Sequence, residues 1–119
     1  MRYISWVRSD KEYGAPPQAL TDAMAKAGEE AFKNGTMVDM GGLSTLREGG
    51  AKLRLSGGTI VDGPYSEAKE LVGGYAIQNY NSLEEAREGA VWLLQLHKDL
   101  WPGWEGEVEV RQMYRPEDF

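Results

Sequence analysis

The densest run of chemically capable side chains in this sequence is Asp62-Gly63-Pro64-Tyr65-Ser66-Glu67-Ala68-Lys69-Glu70. It holds three carboxylates, an amine, a phenol and a hydroxyl within nine residues. Pro64 stiffens the run and Gly63 permits a sharp bend. A lysine held between carboxylates keeps its proton and binds anions; desolvated, it becomes a base or a nucleophile. A neighbouring carboxylate can carry protons. On this reading Asp62, Glu67 and Lys69 are the candidate catalytic residues, with Lys69 fixing an anionic group and Asp62 or Glu67 handling protons. Asp39, Tyr65, Lys69 and Glu70 are the candidate ligand-binding residues. The same run also suits a solvated loop in which Asp62 caps a turn and Lys69 pairs with a glutamate. Asp39 lies among apolar residues and, turned inward, needs a partner: Lys69, Arg54 or a backbone donor.

Other chemistries are narrowed by composition. The chain has 119 residues, enough for one domain, with 41% hydrophobic and 27% charged residues, close to globular averages. It has no cysteine and one histidine, His97. Disulfides, thiolate metal sites and a cysteine nucleophile are excluded, and so is a multi-histidine metal site within one chain. No cofactor and no metal are expected. The familiar phosphate-loop, dinucleotide, zinc-protease, calcium and nucleophile-elbow motifs are absent. A net charge of −6, with the basic residues scattered, argues against nucleic acid and acidic membranes as partners. No apolar run approaches a membrane span, and residues 1–7 lack a signal peptide's apolar region; a cytoplasmic protein is the expectation. Asn34-Gly35-Thr36 matches a glycosylation acceptor but reads better as a helix stop.

The elements that must position these residues follow from periodicity. Arg2 to Arg8 alternates as a strand. A helix is predicted from about Pro17 to Lys33, with Leu20, Met24, Ala27, Ala31 and Phe32 on its apolar side. Met37 to Leu43 reads as a strand and Ala51 to Val61 as a hairpin turning at Gly57-Gly58. Gly73 to Tyr80 reads as a further strand. Ser82-Leu83-Glu84-Glu85 is a capping box opening a helix to about Leu100, with Leu83, Ala86, Ala90, Leu93, Leu94 and Trp101 on its stripe. Glu107 to Tyr114 is the last strand, and Arg115 to Phe119 a tail. The order β-α-β, hairpin, β-α-β predicts an α+β fold: a ferredoxin-like sandwich with both helices on one face of an antiparallel sheet. Trp6, Met40 and Tyr75 are expected on the other face, where uncovered apolar groups favour a homodimer.

Three further features carry two readings each. His97, beside the second helix's apolar stripe, suits packing or capping, or a catalytic base. Trp92, Trp101 and Trp104 suit a core or subunit edge, or stacking on a planar ligand. The glycine pairs at 41–42, 49–50, 57–58 and 73–74 suit turns and bulges, or close approach of a ligand.

Asp62-Gly63-Pro64-Tyr65, followed by Glu67, Lys69-Glu70 and Gly73-Gly74-Tyr75, resembles the signature of the YCII-related proteins of the DGPF type. That family's usual run is D-G-P-F, then E-T-K-E, then a G-G-Y strand. The first strand, the Pro16-Pro17 helix start, the Asp39 to Leu43 segment and the final Val108-Glu109-Val110-Arg111 strand also resemble it, so the likeness covers nearly the whole chain. Tyr65 stands where phenylalanine is usual, and Ala68 where threonine is. The resemblance implies a ferredoxin-like subunit of a dimeric α/β barrel. Smaller YCII-type relatives are associated with a histidine–aspartate pair whose histidine lies early in the first helix; here that neighbourhood holds Gln18. The DGPF type is also similar to proteins encoded near extracytoplasmic-function sigma factors. Two functions are therefore expected. One is a protein binding a small anionic or polar metabolite in the barrel cleft, with or without acid/base chemistry. The other is a non-catalytic regulatory or interaction module.

Overall fold

The computed structural model describes residues 1–9, 11–63 and 71–119, with Leu71 described in its backbone alone. In chain order the elements are β1 (Arg2–Ser9), α1 (Gln18–Lys33), β2 (Met37–Gly42), α2 (Leu46–Gly49), β3 (Leu53–Ser56), β4 (Thr59–Asp62), β5 (Leu71–Asn79), α3 (Leu83–Leu100) and β6 (Glu107–Gln112). A 3-10 turn follows at Pro116–Asp118. The fold is mixed α+β. Four strands form one sheet in the order β2-β5-β1-β6, and every pairing within it is antiparallel. β3 and β4 form a separate two-stranded sheet. No helix among the described residues is long and apolar enough to cross a membrane.

Local sequence explains where the elements begin and end. Pro17 stands at the N-cap of α1, where its missing N–H costs nothing. The helix stops at Asn34-Gly35, with Gly35 at φ 83° and the Asn34 side-chain oxygen accepting the Thr36 N–H at 2.9 Å. That supports the helix-stop reading of the Asn-Gly-Thr triplet. Ser82 caps α3 by accepting the Glu85 N–H at 3.2 Å. Glu85 reaches one residue further back than a simple capping box would, accepting the Asn81 N–H at 2.9 Å. The hairpin turns at Gly57 and Gly58, φ 59° and 78°, the doubly left-handed turn that matches strand twist.

Two bulges decide which side chains face the helices. β2 shifts register between Met37 and Asp39, and the extra residue puts both Met37 and Met40 on the helix side. The Met40 sulfur lies where a Cβ on Gly28 of α1 would be. This corrects the expectation for Met40, which alternation from Trp6 and Tyr75 had assigned to the open face. The second bulge, between Val7 and Arg8 against Gly74 and Val72, accounts for Gly73. The helix-facing rows then read Met37–Gln78–Tyr3–Gln112, Met40–Ala76–Ser5–Val110 and Gly42–Gly74–Val7–Val108.

α1 and α3 lie over these rows. Leu20, Gly28, Ala86 and His97 are their buried residues. Phe32 and Leu83, expected on the apolar stripes, are instead about half exposed; each sits at a helix end, beyond the part that covers the sheet. The expected tail at Arg115 to Phe119 contains the 3-10 turn, held by the Arg115 N–H donating to Asp118 at 2.8 Å. α2 was not foreseen. It is four residues long, too short to show a helical period.

Candidate functional site on the open sheet face

The sheet face away from the helices carries three cross-strand rows: Asp39–Ile77–Ile4–Arg111, Gly41–Tyr75–Trp6–Glu109 and Val72–Arg8–Glu107. Strand alternation alone puts these side chains together. The apolar members lie centrally on β5 and β1, and the charged members lie mostly on the outer strands.

Two polar groupings result. On the β2 side the Tyr75 hydroxyl donates to Asp39 Oδ2 at 2.8 Å. Gly41 makes room for this, because a Cβ there would stand 3.1 Å from the Tyr75 ring. The hydrogen bond to Asp39 is the main reason the Tyr75 phenol is held above its ordinary pKa, with burial and the carboxylate charge adding to it. Tyr75 therefore keeps its proton at neutral pH and acts as a hydrogen-bond donor, not as a base.

On the β6 side Glu109 is shared by two arginines. Arg8 Nη1 lies 3.3 Å from Glu109 Oε1, and Arg111 Nη2 lies 3.8 Å from Glu109 Oε2. The Arg111 guanidinium also sits 5.5 Å above the Trp6 ring, within cation–π range. Arg8 Nε is buried and has no hydrogen-bond partner among the described residues. Such a donor costs about 1–3 kcal/mol while unmet. Arg8 and Arg111 bring two guanidinium groups beside an aromatic ring, and Glu109 together with Glu107, the cross-strand partner of Arg8, balances their charge. The guanidinium donors beside the Trp6 ring suit an acceptor group on a small molecule with a planar or apolar portion.

Of the residues singled out by sequence, Asp39 belongs to this face. Among the described residues its hydrogen-bond partner is Tyr75 and neither Arg54 nor a backbone donor; Lys69, the other candidate, lies outside the described residues. Asp62 closes β4, opposite Leu53 on the hairpin sheet, so it and Asp39 are on different sheets. Tyr65, Glu67, Lys69 and Glu70 lie outside the described residues. The chain enters β5 at Leu71, which pairs with Ser9 next to Arg8. Sequence reasoning missed Arg8, Glu109 and Arg111. The signal was present in the alternation Ile4-Trp6-Arg8 and Glu107-Glu109-Arg111, but it needed the knowledge that β1 and β6 are neighbours.

His97 and two of the tryptophans are placed elsewhere. His97 is 4% exposed, with Nδ1 2.8 Å from the Leu93 carbonyl oxygen. Its ring lies 4.5 Å from that of Trp104 and 6.4 Å from that of Trp101. Tyr13 completes the cluster edge-on to Trp101 and accepts the Glu105 N–H at 3.3 Å. This is how a packed aromatic clasp at a helix end is built. Trp92 is not part of it.

Among the described residues no group of three or more histidine, aspartate or glutamate side chains is placed to hold a metal ion. No protein-family model matches this sequence, and no curated protein is recognisably similar to it.

Proposed function

We propose that this chain is a YCII-related protein of the DGPF type, and that it binds a small anionic or polar metabolite over the open face of its sheet. The observation that carries the reading is the arrangement of Arg8 and Arg111 around Glu109 and Trp6, with a buried Arg8 Nε that has no partner among the described residues. The strand order and the two β-α-β passages are compatible with a ferredoxin-like subunit, which supports the family reading made from the Asp62 to Tyr75 run. In this proposal two subunits face each other sheet to sheet as a dimeric α/β barrel, and the metabolite lies in the cleft between them. Lys69 and the two arginines hold the anionic group. Tyr65 and Glu70 complete the binding set. The Tyr75–Asp39 pair supplies a phenolic donor, and Asp62 or Glu67 moves protons where a reaction follows.

The test is a thermal-shift screen of small mono-, di- and tricarboxylates and phosphate esters, run in parallel on the wild type, Arg111→Ala and Lys69→Ala. A ligand that binds the native state raises its melting temperature. The expected result is a hit that stabilises the wild type and binds each variant about tenfold more weakly or worse, a loss of roughly 1.4 kcal/mol. Hits that stabilise all three proteins alike would overturn the assignment. An absence of hits, with Lys69→Ala melting well below the wild type, would make Lys69 structural and favour the regulatory-module reading.

A further inference from the structure

The helix side of the sheet holds a second space, which borders the Gly41–Tyr75–Trp6 row of the sheet. A cavity of about 380 Å³ lies between the four-stranded sheet and the helices α1 and α3. Its origin is visible in the side chains. α1 presents Ala27, Gly28 and Ala31, and α3 presents Ala86, Gly89 and Ala90. Beneath them the middle of the sheet offers Ser5 and Ala76. Small residues on the helices stand over small residues on the strands, so the two layers meet without filling the space between them. Longer apolar side chains, Met24, Met37, Met40 and Leu93, are found around it.

Three properties define what such a space would take. First, no charged residue is among its described lining residues, in contrast to the open face. A carboxylate or an ammonium group would be buried there without a counter-charge. Second, its polar groups are few, and two of them are close together: Gln78 and Tyr80 at the end of β5. The Tyr80 hydroxyl rests against Gly89, where a Cβ would collide with it. Its ring meets Tyr3 edge-on at 6.1 Å. Burial, ahead of its other neighbours, holds this phenol above its ordinary pKa, so it stays a neutral donor. Third, the volume falls within the range of small-molecule sites. A cavity of about 150 Å³ takes up benzene, and by proportion this one accommodates about fifteen non-hydrogen atoms. Trp92 lines it while remaining 49% exposed, which marks the mouth.

We infer that the space between the helix layer and the sheet is a binding site for one uncharged, largely apolar molecule, oriented by a single hydrogen-bonding end at Gln78 and Tyr80. Its walls lose dispersion contacts while it is unfilled. Flexible methionine side chains adapt to the outline of an occupant.

The probe is N-phenyl-naphthylamine, an uncharged dye of matching size whose fluorescence rises in apolar surroundings. Its sulfonated analogue is the charged control. The wild type is expected to take up the neutral dye in the micromolar range and to prefer it to the sulfonate. Ala90→Leu and Ala27→Leu each place a larger side chain in the space from a different helix. Both are expected to weaken uptake about tenfold or more while melting no lower than the wild type. Leu55→Asp, on the hairpin, is expected to leave uptake unchanged. The proposal fails if the wild type takes up no dye, if the folded leucine variants bind it as well as the wild type does, or if Leu55→Asp abolishes binding. It also fails if neither leucine variant folds, since the space would then already be filled. Uptake that appears only on dilution below the dimer range would assign the space to a second copy of the chain instead.

Discussion

Tyr75 and Asp39 sit on adjacent strands and adjacent rows, and a 2.8 Å hydrogen bond runs from the Tyr75 phenol to the Asp39 carboxyl group. The phenol's pKa is raised above 10.0 chiefly by that bond. Its proton is held more tightly in the folded chain than in the unfolded one. The stabilising contribution is therefore complete below about pH 10 and is lost as the pH climbs through the raised folded value. Asp39→Asn is expected to bring the Tyr75 midpoint down toward the ordinary value, read from the ring Cζ chemical shift across an alkaline titration. A midpoint indifferent to that substitution would mean that the bond does not govern the phenol. The sequence shows Asp39 as a polar residue in an apolar strand but does not show its partner. The two are 36 residues apart, and only the strand register brings them within reach. Arg8 and Glu109 were hidden for the same reason.

At the scale of elements, close approach between backbone and side chain makes two glycines behave oppositely. A Cβ on Gly106, just before β6, would stand 2.4 Å from both the Arg8 carbonyl oxygen and the Trp104 ring. The first is backbone within the sheet and the second belongs to the aromatic clasp, so neither yields easily. Gly106→Ala is expected to destabilise the protein by about 2 kcal/mol or more. A Cβ on Gly28 would stand 2.5 Å from the Met40 sulfur, the far end of a flexible chain with open space beside it. Replacing a mid-helix glycine by alanine favours the helix by up to about 1 kcal/mol, so Gly28→Ala is expected to stabilise. Urea unfolding of the two variants checks both signs. These elements were largely legible in advance: β1, both long helices, the hairpin turn and β6 follow from alternation, helical spacing and capping residues. What escaped was what depends on neighbours. The β2 bulge rotates Met37 and Met40 to one side, and nothing in the local pattern Met37-Val38-Asp39-Met40 announces an extra residue. The hairpin was legible as a hairpin, but not that it would form a sheet of its own.

The whole molecule is flat, 47 × 42 × 22 Å, with a radius of gyration of 16.1 Å, against roughly 13.5 Å for a compact chain of this length. Its accessible surface of 8542 Å² is about a third larger than the roughly 6,400 Å² expected of a compact monomer of this mass. Two features contribute. The sheet is covered by helices on one face only, leaving Ile4, Trp6, Val72 and Ile77 on the other. The hairpin also turns one apolar side outward, with Leu55 and its cross-strand partner Ile60 each more than 70% exposed. An excess of this size exceeds the roughly 800 Å² each partner contributes to a standard interface, and it has the character of a surface awaiting a second copy. Sheet-to-sheet pairing would cover the open-face apolar rows and enclose the arginine–glutamate cluster, where lower polarity strengthens the guanidinium groups' hydrogen bonds to a ligand. Sedimentation velocity at micromolar concentration is accordingly expected to give a dimer, with a melting temperature that rises with protein concentration. Ile77→Lys, which places a charge in the centre of that face, is expected to yield a monomer. A wild type that sediments as a monomer would remove the cleft from the proposed function. A dimer untouched by Ile77→Lys would move the interface to the hairpin and leave the open face to its ligand alone.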